Sequence, residues 1–118
     1  MVRVQSVYIE DGIETEETMV FDTILNENAS TKQMKAFGFA KENGEHGMEI
    51  WPFILEIKEN EDESKIIWGS GAIDSECYLN IALKQIRSGE YFTRYDSDNE
   101  GSYSYTKKIK NVIDWNEL

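Results

Sequence analysis

Cysteine, proline and histidine are almost absent from this chain: its 118 residues hold one of each, Cys77, Pro52 and His46. A single cysteine excludes an intrachain disulfide, which fits a reducing compartment. With one cysteine and one histidine there is no thiolate or imidazole metal constellation, so neither a metal nor another cofactor is expected. Long apolar runs are also missing. The longest is Trp51-Pro52-Phe53-Ile54-Leu55, far short of the ~20 residues that a spanning helix needs. The N-terminus alternates polar and apolar residues and has no continuous apolar stretch, so no signal peptide is expected, and Trp115-Asn116-Glu117-Leu118 matches no lipidation signal. The cytoplasm is the expected location. Basic residues are scarce: 12 Lys and Arg stand against 23 Asp and Glu, for a net charge of -11. That balance argues against a nucleic-acid backbone or an anionic membrane as the partner.

What is present is a set of β-forming runs, with three Trp, six Tyr and five Phe that argue against disorder. There is no repeat, linker or low-complexity tract, and the length suits one domain over 1–118. Strands are expected at 2–10, 18–25, 48–58, 65–69, 90–95 and 102–110. In the second run Met19, Phe21 and Leu25 share one face. In the third, Trp51, Phe53, Leu55 and Ile57 share a face, with Ile50 and Ile54 opposite. Pro52 has no N–H for a ladder, which predicts an edge strand or a bulge there. Residues 32–42 fit either a helix face (Met34, Phe37, Lys41) or a strand in which Lys35, Phe37, Phe39 and Lys41 alternate with Ala36, Gly38 and Ala40. The central glycine favours the strand, and Asn43-Gly44 marks a turn.

One principal helix is predicted at 75–88. Asp74 or Ser75 would cap it, Leu79, Ala82, Leu83 and Ile86 would form its apolar stripe, and Gly89 would end it. Short connections favour antiparallel pairing. The expected fold is therefore α+β: a curved, mainly antiparallel sheet of about 5–7 strands with the helix packed on one face. The alternative is a small β-barrel or sandwich with one helix plugging an end.

No motif carries chemistry. Asp96-Ser97-Asp98-Asn99-Glu100-Gly101 opens like a calcium loop, but Lys107 stands where the closing bidentate Glu belongs, so a hairpin tip is expected. Gly69-Ser70-Gly71 lacks the Gly-Lys-Ser/Thr of a phosphate loop. His46 in Gly44-Glu45-His46-Gly47 reads as an exposed turn residue, and Cys77 as a small semi-buried thiol. No spacing singles out a catalytic pair among the carboxylates, so no catalytic residue is assigned and the chain is not expected to be an enzyme.

Two sets suggest binding. The acidic residues Asp11, Glu14, Glu16, Glu17, Glu59, Glu61, Asp62, Glu63, Asp96, Asp98 and Glu100 fall in three predicted turns, which either form a solvated surface or place two of their number at one end of the sheet as a negative patch. Tyr91 and Tyr95 share a face of a 90–110 hairpin, as do Tyr103 and Tyr105, while the register between the pairs is open. Together they suggest a small acidic protein, monomer or homodimer, that neutralises or regulates a basic protein such as a nuclease-type toxin. An immunity protein, an antitoxin or a nucleic-acid mimic would act in this way. The alternative is a small-ligand-binding or sensory module in which Trp51, Trp68 and Tyr91 line a cavity.

Overall fold

The computed structural model describes residues 1–32, 34–58, 61–69, 76–82 and 84–118. Eight strands run in order: β1 (Val2–Glu10), β2 (Ile13–Thr23), β3 (Met34–Gly44), β4 (Gly47–Ile57), β5 (Ser64–Trp68), β6 (Glu76–Leu79), β7 (Tyr91–Asp98) and β8 (Gly101–Asp114). Each pairs antiparallel with the next, and β8 pairs with β1, so the sheet closes into a barrel. Period-2 alternation drives this closure, because one face of every strand must be buried and a closed sheet leaves no edge. A short 3-10 turn, Trp115–Glu117, follows β8. No helix of the described residues is long and apolar enough to cross a membrane.

The barrel overturns the α+β expectation of a curved sheet under one principal helix. Within the predicted helix, Cys77 and Leu79 are buried while Glu76 is exposed and Tyr78 half-buried. That alternation belongs to β6, which pairs with β5 on one side and β7 on the other and so completes the barrel. Beyond Leu79, buried Ile81, Ala82 and Ile86 cover one end of the barrel, and the described residues there form no helix. Their backbone is held by other partners: Ile86 N–H donates to the Ala29 carbonyl at 2.7 Å, and Gly89 N–H to the Ile109 carbonyl at 2.7 Å. A short apolar run can belong to a buried strand or to a helix, and periodicity alone does not separate the two. The proposed caps Asp74 and Ser75, and Leu83 of the stripe, lie outside the described residues. So do Ser70 and Gly71 of the glycine-containing turn.

The antiparallel order sends alternate turns to opposite ends. The β1–β2, β3–β4 and β7–β8 turns share one end, called the mouth below. The apolar half of the interior lies away from it, built from Val4, Met19, Phe21, Ala36, Leu55, Leu79, Phe92 and Ile109, all almost fully buried. Strand β3 is a strand, as favoured, with its small residues turned in. Ala36 and Ala40 are buried, whereas Phe37 is 64% exposed on the outer wall. Gly38 explains this choice, since a Cβ there would lie 2.7 Å from Phe53 Cζ and 2.8 Å from Phe21 Cβ. The Val20 carbonyl oxygen, the Phe53 ring and the Phe21 Cβ together occupy the space that a side chain at 38 would need.

Pro52 sits neither on an edge strand nor at a register shift, because it faces Phe39 in the β3–β4 ladder. Its carbonyl accepts from Gly69 N–H at 3.0 Å on the β5 side. N–H and C=O of one strand residue point the same way, so the missing donor also faces β5. The β4–β5 ladder runs from Glu56↔Lys65 only to Phe53↔Trp68, so the proline falls just past its end. The β3–β4 turn comes one step later than Asn43-Gly44: Gly44 pairs with Gly47, and Glu45 and His46 form an exposed tip.

Candidate functional site: the barrel mouth

Alternation places charged residues inside the mouth half of the barrel. Arg94 lies two residues along β7 from buried Phe92, and Lys107 two along β8 from buried Ile109. Both are therefore interior, with 8% and 3% exposure respectively. Burying a guanidinium requires partners, and Arg94 has them. Its Nε donates to Asp96 Oδ1 and its Nη2 to Asp96 Oδ2, both at 2.9 Å, while Nη1 donates to Glu42 Oε1. The guanidinium carbon also lies 4.9 Å from the Trp68 ring centroid and 5.8 Å from that of Tyr105. Burial alone would lower the Arg94 pKa, but hydrogen bonding to Asp96 and the nearby negative charge raise it overall. The guanidinium stays charged at any working pH.

Lys107 is held differently. Its ammonium lies 5.0 Å from the Tyr8 ring centroid, and among the described residues it has no carboxylate within ion-pair distance. Burial first, then Arg94, holds its pKa below the ordinary lysine value, against opposing pulls from Glu42, Glu17 and Asp96. Between the lowered folded value and the ordinary 10.5, the unfolded chain binds the proton more strongly than the fold does. Wild-type stability should therefore rise with pH across that window. Lys107→Met is expected to stabilise the protein by about 1 kcal/mol at neutral pH. That gain should fade as pH approaches the ordinary lysine range, which urea titrations of both proteins at a series of pH values would measure.

Above this floor the barrel opens into a cavity of about 400 Å³ lined by Glu42, Trp51, Trp68, Glu76, Cys77, Arg94, Asp96, Ser97, Asp98, Tyr103 and Tyr105. The residues come from the mouth ends of β3 to β8. Arg94 already lies over Trp68 and Tyr105, whereas Trp51 and Tyr103 are 37% and 47% exposed. Cys77 Sγ donates to Asp96 Oδ1 at 2.8 Å. Burial pushes its thiol pKa far up, with Arg94 opposing, so it is a poor nucleophile. Native Cys77 is expected to react with a thiol-specific reagent at pH 8 at least about 100-fold slower than the denatured chain. A stopped-flow comparison of the two states would measure this.

The predicted acidic set divides between the two ends of the barrel. Asp11, Glu14, Glu16, Glu17, Asp96, Asp98 and Glu100 belong to the mouth end, and Glu61 and Asp62 precede β5 at the opposite end, whereas Glu63 lines a second depression together with Tyr95, Asp96 and Tyr103. Glu59 lies outside the described residues. Several of the mouth carboxylates have partners. Glu14 pairs with Lys110 at 2.9 Å, a hydrogen bond that lowers its pKa. Glu17 accepts from Asn43 N–H at 3.1 Å. Asp98 Oδ1 accepts from Glu100 and Gly101 N–H at 2.8 and 3.1 Å, closing the hairpin tip. Among the described residues no three His, Cys, Asp or Glu groups come together to hold a metal.

The tyrosines divide as well. Arg94 faces Tyr105 and Asp96 faces Tyr103 across β7 and β8, so Tyr103 and Tyr105 share the interior side. Tyr91 and Tyr95 stand on the outer wall, 49% and 40% exposed. Of the three aromatics expected around a cavity, Trp51 and Trp68 line one and Tyr91 does not. Arg94, Glu42 and Glu76 were not singled out by the sequence reading. The available signal was a charged residue in phase with buried neighbours: Arg94 with Phe92, and Glu42 with Ala36 and Ala40. Comparisons with protein-family models, curated proteins and solved structures return no match.

Proposed function

We propose that this chain is a small-molecule-binding barrel whose ligand enters the mouth. The observation that carries the reading is the cavity of about 400 Å³, with two partly exposed aromatic side chains, Trp51 and Tyr103, above a floor fixed by ion pairs. Its size falls in the range that small-molecule sites use, and barrel mouths are a recurrent place for them. The floor is preorganised, since Arg94, Asp96 and Glu42 hold one another and Trp68 and Tyr105 pack on the guanidinium. A ligand therefore meets a shaped surface and does not bear the cost of ordering it.

A thermal-shift screen of small aromatic and aliphatic compounds tests the reading. Stabilising compounds should lose their effect in the Trp51→Ala/Tyr103→Ala double variant, which alters two partly exposed side chains. A screen without a stabilising compound, or one whose hits act equally on the double variant, would sink it.

One observation favours a second reading, a basic protein docked on the acidic rim: two of the three acidic turns share the mouth end. Such a partner would cover the cavity. It should then compete with any mouth ligand and lose affinity when Asp11, Asp98 and Glu100 are changed to lysine. Unchanged binding in that triple variant would dismiss it.

A further inference from the structure

We infer that the mouth selects an organic cation, a protonated amine or quaternary ammonium carried on an aromatic or apolar body. The inference rests on the small-molecule reading above and names the ligand class. Four carboxylates line the cavity, Glu42, Glu76, Asp96 and Asp98, against one guanidinium, Arg94. That guanidinium is committed to the protein, with Nε and Nη2 on Asp96 and Nη1 on Glu42. The second interior cation, Lys107, does not line the cavity. Glu76 and Asp98 are exposed at the rim, and among the described residues neither has a basic group within ion-pair distance. An anionic ligand would meet this excess of negative charge with no free donor cation among the described lining residues to offset it.

The aromatic lining points the same way. A ring face attracts positive charge through its quadrupole, and the mouth already uses that attraction, with Arg94 lying over both Trp68 and Tyr105. Trp51 and Tyr103 present comparable faces with no cation of the described residues over them. An ammonium near Glu76 and Asp98, with its apolar body against Trp51 and Tyr103, would match both kinds of lining. A bare metal ion would not, because no set of three metal-binding groups converges among the described residues.

Three probes of similar shape separate the possibilities: phenethylamine, phenethyl alcohol and hydrocinnamate, titrated to millimolar levels into the full chain. Tryptophan fluorescence and thermal shift would be read together. The amine should bind about tenfold more tightly than the alcohol, and the acid more weakly still. Rising salt should erode the amine's advantage. Glu76→Gln/Asp98→Asn should shrink that advantage and leave the alcohol unchanged. If the alcohol or the acid binds as well as the amine, and Trp51→Ala/Tyr103→Ala abolishes binding, the cation class is wrong and the mouth reading stands. An amine preference unaffected by Glu76→Gln/Asp98→Asn also overturns the class. If none of the probes binds, or binding ignores the aromatic double variant, both readings fail.

Discussion

Arg94→Met is expected to lower unfolding stability by about 3 kcal/mol, seen as a smaller urea midpoint at unchanged slope. The change removes the one positive charge that both Asp96 and Glu42 share, inside a wall where water replaces it poorly. Breaking a buried pair from one side costs more than deleting the whole pair, because the remaining charges lose their partner. The expected value sits at the low end of the usual range because the two carboxylate side chains keep about a quarter of their exposure. Two further variants separate this account from simple loss of packing. Arg94→Lys keeps the charge but not the fork that grips Asp96 through two nitrogens, so it should recover less than half of the loss. Adding Glu42→Gln and Asp96→Asn to Arg94→Met should recover most of it. If the triple variant is no more stable than Arg94→Met, packing on Trp68 and Tyr105 was the larger contribution.

Phe92→Ala is expected to cost about 4 kcal/mol. The ring is 1% exposed and meets Phe21 edge to face, with centroids 6.3 Å apart at 81°. Truncation loses the transfer free energy of the ring, the aromatic pair and the contacts of the lining atoms. A closed barrel is poorly placed to collapse onto the void, since moving one wall inward strains the ladders on both of its sides. Phe92→Leu retains most of the volume and should cost about 1.5 kcal/mol or less. Equal losses in the two variants would mean that the edge-to-face contact, and not the volume, dominates.

Most strands were legible because their inner faces are written in period 2. Met19 and Phe21, then Phe53, Leu55 and Ile57, are buried as their alternation implies, and the expected spans at 2–10, 48–58 and 65–69 differ from the observed strands by a residue or so. Strand β6 was not legible. It is four residues long, and its inward Cys77 and Leu79 merge in sequence with Ile81, Ala82 and Ile86, which plug the end of the barrel. Local periodicity cannot separate two jobs done by adjacent residues, and only closure with β5 and β7 assigns them. The same limit hid the site. Arg94 and Lys107 look like solvated cations until the register of β7 on β8 turns them inward. Trp51 and Trp68 were recognisable as candidates for a cavity, but the carboxylates they surround were not. Of the three acidic turns, 10–17 and 96–100 share the mouth end because strand order brings them there. That is a property of topology, which charge patterning does not encode.

The walls of the barrel are unevenly fastened. The β3–β4 ladder runs its whole length, from Met34↔Ile57 to Gly44↔Gly47, while Ser64↔Leu79 and Lys65↔Tyr78 join β5 to β6. Among the described residues this is the thinnest link of the ring, so spontaneous opening should start as a seam along β5 and β6 while the other staves stay joined. The cavity straddles that seam, with Trp51 on β4, Trp68 on β5 and Glu76 on β6. An occupant touching all three would act as a clasp. Its arrival would register as slowed amide exchange in β5 and β6, even though the resting shape of the barrel barely changes.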